Sequence, residues 1–98
     1  MHNHAYNVLM KFTWDETKRL KNIKKHRFDF ADAFQVFDGP TLTMPDDDPD
    51  YGEARYTTMG LLELTVVVVC HTESVSEIRI ISLRKAERHE IELFYSCA

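Results

Sequence analysis

Arg55–Leu83, RYTTMGLLELTVVVVCHTESVSEIRIISL, is the stretch that decides the fold. Its centre, Leu64–Cys70, is a near-continuous apolar run, and a strand apolar at almost every position belongs in the middle of a sheet, covered on both faces. Arg55–Leu61 on one side and Glu77–Leu83 on the other read as two further strands, so the spacing predicts an antiparallel meander of Arg55–Leu61, Leu64–Thr72 and Glu77–Leu83. Gly60 and Ser74-Val75-Ser76 supply the turn signals between them. In the last strand Arg79 alternates with Ile78 and Ile80, which puts Arg79 and Ile81 together on the face away from the core.

Towards the N-terminus, Thr41–Met44 reads as another strand, followed by an acidic loop from Pro45 to Gly52 that carries Asp46, Asp47, Asp48 and Asp50. A solvated loop, or a contact for a partner protein, fits it better than a calcium site, because the EF-hand spacing is missing. Asp29 is placed to cap a helix over Phe30–Phe37, with Phe30, Ala33, Phe34 and Phe37 on one face, and Asp38-Gly39-Pro40 ends it. An earlier helix starts at Asp15 and runs to about His26, with Leu20, Ile23 and Thr17 as a narrow apolar stripe and basic residues crowding its last turn, where they suit the helix dipole. Val8–Trp14 alternates between two faces and reads as a short strand. Residues 1–7 read as a flexible tail, a setting in which His2 and His4 are expected to be loose chain rather than a metal site. Towards the C-terminus a helix is expected from about Lys85 to Tyr95, with Ile91, Phe94 and Tyr95 facing the core. The order is strand, two helices, four strands, helix, and helices segregated from an antiparallel sheet define an α+β fold.

Ninety-eight residues make one domain, residues 1–98, and a 44% hydrophobic fraction suffices for a core. A chain of this size buries roughly 60–70% of its unfolded surface, so a partner would add useful stability. Cys70 and Cys97 form neither a disulfide framework nor a zinc pattern. No apolar segment approaches the ~18 residues that span a bilayer, and the start lacks the apolar core of a signal peptide, so the expected location is the cytoplasm. The net charge of −4 is unevenly spread. Lys11–Arg27 holds seven bases against Asp15 and Glu16, Phe28–Ile78 holds eleven acids against Arg55 alone, and the last twenty residues are again mildly basic through Arg79, Arg84, Lys85 and Arg88. Local patches decide what is bound, and the two basic ends together suit a phosphate backbone.

Several ordered pieces carry a family resemblance. They are Phe12-Thr-Trp14-Asp15-Glu16 with Lys18, Asn22 and Lys25-His26; Phe30-Ala-Asp-Ala33 with Val36-Phe37-Asp38; Gly52-Glu53-x-Arg55 and Gly60; and Val69-x-His71-Thr72 leading to Ile78-Arg79-Ile80-Ile81-Ser82-x-Arg84-Lys85-Ala86, then Glu90 and Tyr95. Together they cover about Phe12 to Tyr95 and resemble BrnT-type toxins of type II toxin–antitoxin systems. The resemblance implies a RelE-like α+β fold, with an antiparallel sheet of about four strands, two N-terminal helices and one C-terminal helix. It implies an endoribonuclease that cleaves RNA without a metal or other cofactor and arrests translation and growth. It also implies a partner, an antitoxin similar to ribbon-helix-helix proteins, through which the pair reaches operator DNA; no membrane is involved. A co-repressor module without catalytic activity is the alternative. The sequence departs from the family pattern at Arg27, where a glycine is usual after Lys-His, and at Ser74-Val75-Ser76, where the hairpin usually has a basic residue and glycine.

Metal-free RNA cleavage uses the substrate's own 2′-hydroxyl, so the protein must take a proton, stabilise charge at phosphorus and return a proton to the leaving oxygen. Arg79, on a strand face away from the core, is the strongest cationic candidate, and Arg84, at the strand–helix junction, either clamps phosphate or pairs with Glu87 or Glu90. Arg55 and Glu53 share strand parity and would project from one face, with Glu53 an ionised proton acceptor. Lys25 and His26 form the best acid–base pair by chemistry, since an unperturbed histidine titrates near pH ~6.5. The expected catalytic set is therefore Lys25, His26, Glu53, Arg55, Arg79 and Arg84, with Lys85, Arg88 and His71 contacting RNA and no metal ligands. Trp14 and Tyr95 suit base stacking but read first as core.

Overall fold

The computed structural model describes residues 10–46 and 52–97. The expected tail, with His2 and His4, and the aspartates 47, 48 and 50 lie outside the described residues. Five strands and three helices follow in the order β1 (Lys11–Trp14), α1 (Glu16–His26), a 3-10 turn (Phe30–Asp32), α2 (Ala33–Phe37), β2 (Thr41–Asp46), β3 (Arg55–Leu62), β4 (Thr65–Glu73), β5 (Glu77–Lys85) and α3 (Arg88–Cys97). The sheet runs β1-β5-β4-β3-β2, so the apolar run does form the central strand. Strands β2 to β5 pair antiparallel as a meander.

The expected sheet of about four antiparallel strands is corrected on one point. The first strand joins as a fifth, parallel to the last, with Phe12 opposite Ile78 and Trp14 opposite Ile80. Parallel neighbours need a long crossover, and here everything between the first and last strands serves as one. The helices are not segregated either. Phe30, Ala33, Val36 and Phe37 pack with Leu62, Val67, Val69, Ile78, Ile80 and Leu83 on one face. Phe94 and Ala86 pack with Met59, Val66 and Val68 on the other. The inner face carries α2, the outer face α3.

Local signals mostly act as expected. Asp15 caps α1, its carboxylate accepting the Lys18 N–H at 3.1 Å. Asp29 accepts the Ala31 N–H at 2.9 Å, but the turn it starts is 3-10 before it becomes helical. Phe34 is 52% exposed and Val36 takes the buried place expected of it. Leu20 is 56% exposed, so the stripe of Leu20, Ile23 and Thr17 is not what α1 buries. The buried residue of α1 is Asn22. Its amide donates to Leu83 O (2.7 Å) and Phe28 O (3.0 Å) and accepts from Leu83 N–H (3.2 Å). These bonds satisfy the β5 edge beyond the point where β1 stops, a service worth several kcal/mol if the alternative is buried backbone without partners, at roughly 1–3 kcal/mol per group.

Gly60 marks no turn; it lies inside β3, opposite Thr41 and Val67. A Cβ there would stand 2.7 Å from Val36 Cγ1, so the absent side chain lets α2 approach the sheet. The real β3–β4 turn is Glu63-Leu64, with Glu63 at φ 57° and Leu64 95% exposed. The last helix starts at Arg88 because β5 runs on to Lys85. Phe94 and Ile91 meet the core as expected, whereas Tyr95 is 62% exposed. No described helix is long and apolar enough to cross a membrane.

Candidate active site

Strand register decides where the candidate arginines stand. His71 pairs with Ile80 and Thr72 with Arg79, but Cys70 pairs with Ser82, so Ile81 is an extra residue in a bulge. Arg79 and Arg84 are separated by an odd interval and strict alternation would put them on opposite faces. The bulge cancels that slip. Arg84 pairs with Val68 and Ser82 with Cys70, and both Val68 and Cys70 lie on the outer side of β4 with Thr72. Ile81 is thereby removed from the place beside Arg79 that alternation assigned to it. Arg55 precedes Tyr56, which pairs with the inward-facing His71, so Arg55 also faces outward, on the side of Thr72. Arg55 and Arg79 thus flank Thr72 from the two neighbouring strands, roughly 10 Å apart by backbone at ~4.8 Å per strand. Arg55, Arg79 and Arg84 share the outer face.

Their circumstances differ. Arg79 is exposed and has no hydrogen-bond or ion-pair partner among the described residues. Beside it on β1 stands Thr13, whose hydroxyl is buried without a partner there. Arg84 is held in a bidentate pair, Nη1 to Glu90 Oε1 at 2.8 Å and Nη2 to Glu90 Oε2 at 2.9 Å. Those bonds pull the Glu90 carboxyl down to about 2, against the opposing effect of burial. Glu90 also accepts the Glu87 N–H at 2.8 Å and so ties Arg84 to the start of α3. Of the two partners foreseen for Arg84, the structure selects Glu90. Arg55 is half-buried beside Cys70, where burial raises the thiol and the Arg55 charge partly opposes that rise.

Lys25 and His26 approach this face from the end of α1. They line a cleft of roughly 220 Å³ with Lys18, Lys21, Asn22, Ile81 and Ser82, at the segment of β5 that β1 leaves open. Burial, then the positive charges of Lys25 and Arg84, hold the His26 imidazole below its usual value. His26 and Arg84 therefore belong to one electrostatic neighbourhood. Arg19, by contrast, is committed elsewhere, bonded to Asp29 (2.7 and 3.0 Å) and Glu16 (2.6 Å). Arg27 takes the left-handed conformation, φ 66° and ψ 22°, and its N–H reaches Ile23 O at 2.9 Å, so the turn after His26 keeps the shape a glycine would give it.

Four candidates are not brought to this face. His71 is 0% exposed, its Nε2 2.7 Å from Thr58 Oγ1 and its Nδ1 3.5 Å from Glu73, and it packs edge-on to Phe37. It is a core histidine of the inner face with no surface to offer a ligand. Glu53 stands in an exposed bend two residues before β3, so the strand parity assigned to it with Arg55 does not apply. Arg88 is fully on the surface at the start of α3, 3.6 Å from Glu92. Lys85 is exposed at the end of β5, opposite inward-facing Val67. Lys18 is part of the family pattern but carries no site role in the sequence reading, and Lys21 is absent from that reading; the helical spacing of both with Lys25 is the available signal. Trp14 packs half-buried against the inner core.

The fold and residue pattern agree with comparisons to known proteins. A family described as ribonuclease toxin, BrnT, of type II toxin–antitoxin systems matches residues 14–90. The structure resembles the crystal structure of the Brucella abortus ribonuclease toxin BrnT, with 33% identity, a TM-score of 0.66, and coverage of 81% of this chain and 99% of that one. No protein with a curated description matches. With the family matched across most of the chain and the fold reproduced at that identity, this protein belongs to the BrnT ribonuclease toxins of type II toxin–antitoxin systems.

Proposed function

We propose that the chain is an endoribonuclease that cleaves RNA through the 2′-hydroxyl with side chains alone, arrests translation and growth in the cytoplasm, and is neutralised by a ribbon-helix-helix-like antitoxin that alone contacts operator DNA. One observation carries this reading: Arg55, Arg79 and Arg84 stand on one sheet face, with Lys25 and His26 at its β5 edge. Cations on a common rigid surface can neutralise a phosphodiester, and fixed cations at a developing charge are typically the largest single contribution to catalysis.

In this mechanism neutral His26 accepts the proton of the 2′-hydroxyl. The 2′-oxygen bonds to phosphorus as the bond from phosphorus to the 5′-oxygen breaks. Arg79 and Arg84 hold the non-bridging oxygens, Arg55 supports them from the far side of Thr72, and Lys25 returns a proton to the leaving 5′-oxygen. The products are a 2′,3′-cyclic phosphate and a free 5′-hydroxyl. The depressed imidazole suits a base, because it is uncharged at neutral pH. With proton transfer and charge stabilisation both supplied by side chains, no step requires an ion.

Purified protein incubated with end-labelled RNA in EDTA tests the proposal. Cleavage that persists in EDTA and is lost in Arg79→Ala supports it. Cleavage abolished by EDTA and restored by a divalent ion sinks the metal-free mechanism, and no cleavage under any condition leaves the co-repressor alternative. Co-expression with a cognate antitoxin should restore growth.

A further inference from the structure

Beyond Ile80, the described residues place no strand along the free edge of β5, because β1 ends at Trp14. Asn22 satisfies the backbone there, and the space between α1 and Ile81-Ser82 remains as the cleft lined by Lys18, Lys21, Lys25 and His26. Lys18, Lys21 and Lys25 recur at the spacing of one helix face. Like charges so placed repel, by a few tenths of a kcal/mol for each pair. The cleft lining contains no carboxylate, and none of the three ammonium groups has an ion-pair partner among the described residues. The cleft is also continuous with the arginine face. Ser82 of the cleft lining pairs with Cys70 on that face; the positive charges of Arg55 and Lys18 both lower the Cys70 thiol, and that of Arg84 lowers the His26 imidazole.

We propose that this cleft is a second phosphate subsite, in which Lys18 and Lys21 hold the backbone phosphate next to the scissile one, so that a single RNA strand crosses β5 at the Ile81 bulge. The assignment rests on the ribonuclease reading above and specifies the path of its substrate. A groove of this size at a strand edge admits one sugar–phosphate chain and not a duplex. Its contacts go to phosphate and so anchor RNA without reading sequence.

The test is binding, not cleavage. The affinity of a fully 2′-O-methylated RNA oligonucleotide, which cannot be cut, is measured against salt for three proteins: wild type, Lys18→Ala/Lys21→Ala, and a control of equal charge, Lys11→Ala/Lys24→Ala, whose lysines lie outside the cleft. The expected result is a log–log salt slope reduced by about 0.7, for the one phosphate that the two lysines hold on a single strand, and affinity at low salt reduced about tenfold in the first double variant, with a clearly smaller change in the control. Inorganic phosphate should raise the His26 pKa, read by NMR, in wild type and less in Lys18→Ala/Lys21→Ala. Equal slopes in the two double variants, or an effect on duplex DNA without one on the single strand, overturns the subsite. Cleavage of ordinary RNA with equal slopes refutes the subsite and keeps the ribonuclease; binding as expected with no cleavage refutes the ribonuclease and keeps the subsite.

Discussion

His26 is where charge and burial meet most directly. Its imidazole is lowered by burial and by two cations, Lys25 next to it and Arg84 across the β5 edge. A positive neighbour disfavours the protonated form, so removing one raises the pKa. Lys25→Ala should therefore move the His26 titration upward, towards the ordinary value near 6.5, as read from the imidazole proton shifts; an unchanged or lower titration would remove Lys25 from the cause. The next residue, Arg27, carries a conformational cost. An L-residue in the left-handed region is strained by roughly 1–2 kcal/mol, and glycine escapes that strain but makes the unfolded chain looser. Arg27→Gly should raise the unfolding free energy by about 0.5–1 kcal/mol in urea denaturation. The family pattern had already marked this position, because a glycine is usual there, and the turn it implies survives with arginine in place.

At the scale of elements, the antiparallel meander from β2 to β5 is legible because periodicity and the apolar run at Val66–Val69 leave few alternatives for a central strand, whereas the parallel place of β1 beside β5 is not, since no local pattern names a partner so distant in sequence. What escaped were features set by tertiary contact. Alternation separates Arg79 from Arg84, and only the bulge at Ile81 reunites them. A trace of it exists in the sequence, where the inward residues Ile78, Ile80 and Leu83 are spaced unevenly. Gly60 was read as punctuation, whereas it is a contact: α2 packs where its side chain is missing. Helical spacing of apolar residues points Leu20 and Phe34 inward, although the fold buries Asn22 and Val36 instead. Gly60→Ala tests the contact. With 2.7 Å to Val36 Cγ1, the added methyl should cost about 1–3 kcal/mol, the range for overpacking a tight core. Val36→Ala also destabilises by itself, so the double variant should lose less than the sum of the two single losses; strict additivity would mean that the two side chains do not meet.

On the scale of the whole molecule, a net charge of −4 coexists with a cationic face because the fold gathers bases from both basic ends and from the single base in the acidic middle. That arrangement separates two arginines with different duties. Arg79 is exposed and unpaired among the described residues, so Arg79→Ala should leave the unfolding free energy within about ±0.5 kcal/mol while reducing kcat by roughly 10²–10³, the loss typical for one charge-stabilising donor. Arg84 also supports the fold. Its removal leaves the Glu90 carboxylate, 12% exposed, without its cation, which should cost about 1–3 kcal/mol in addition to activity. The pH dependence separates these effects. Glu90 titrates at about 2 in the folded state against an ordinary 4.5, so its pairing contributes stability that is complete above pH 4.5 and is lost as pH falls towards 2. Arg84→Ala should lose most of its stability deficit relative to wild type as pH is lowered through that window, because wild type loses the same pairing. Arg79→Ala should track wild type at every pH. A deficit in Arg84→Ala that stays constant from pH 7 to pH 2.5 would show that Arg84 supports the fold by packing rather than through Glu90.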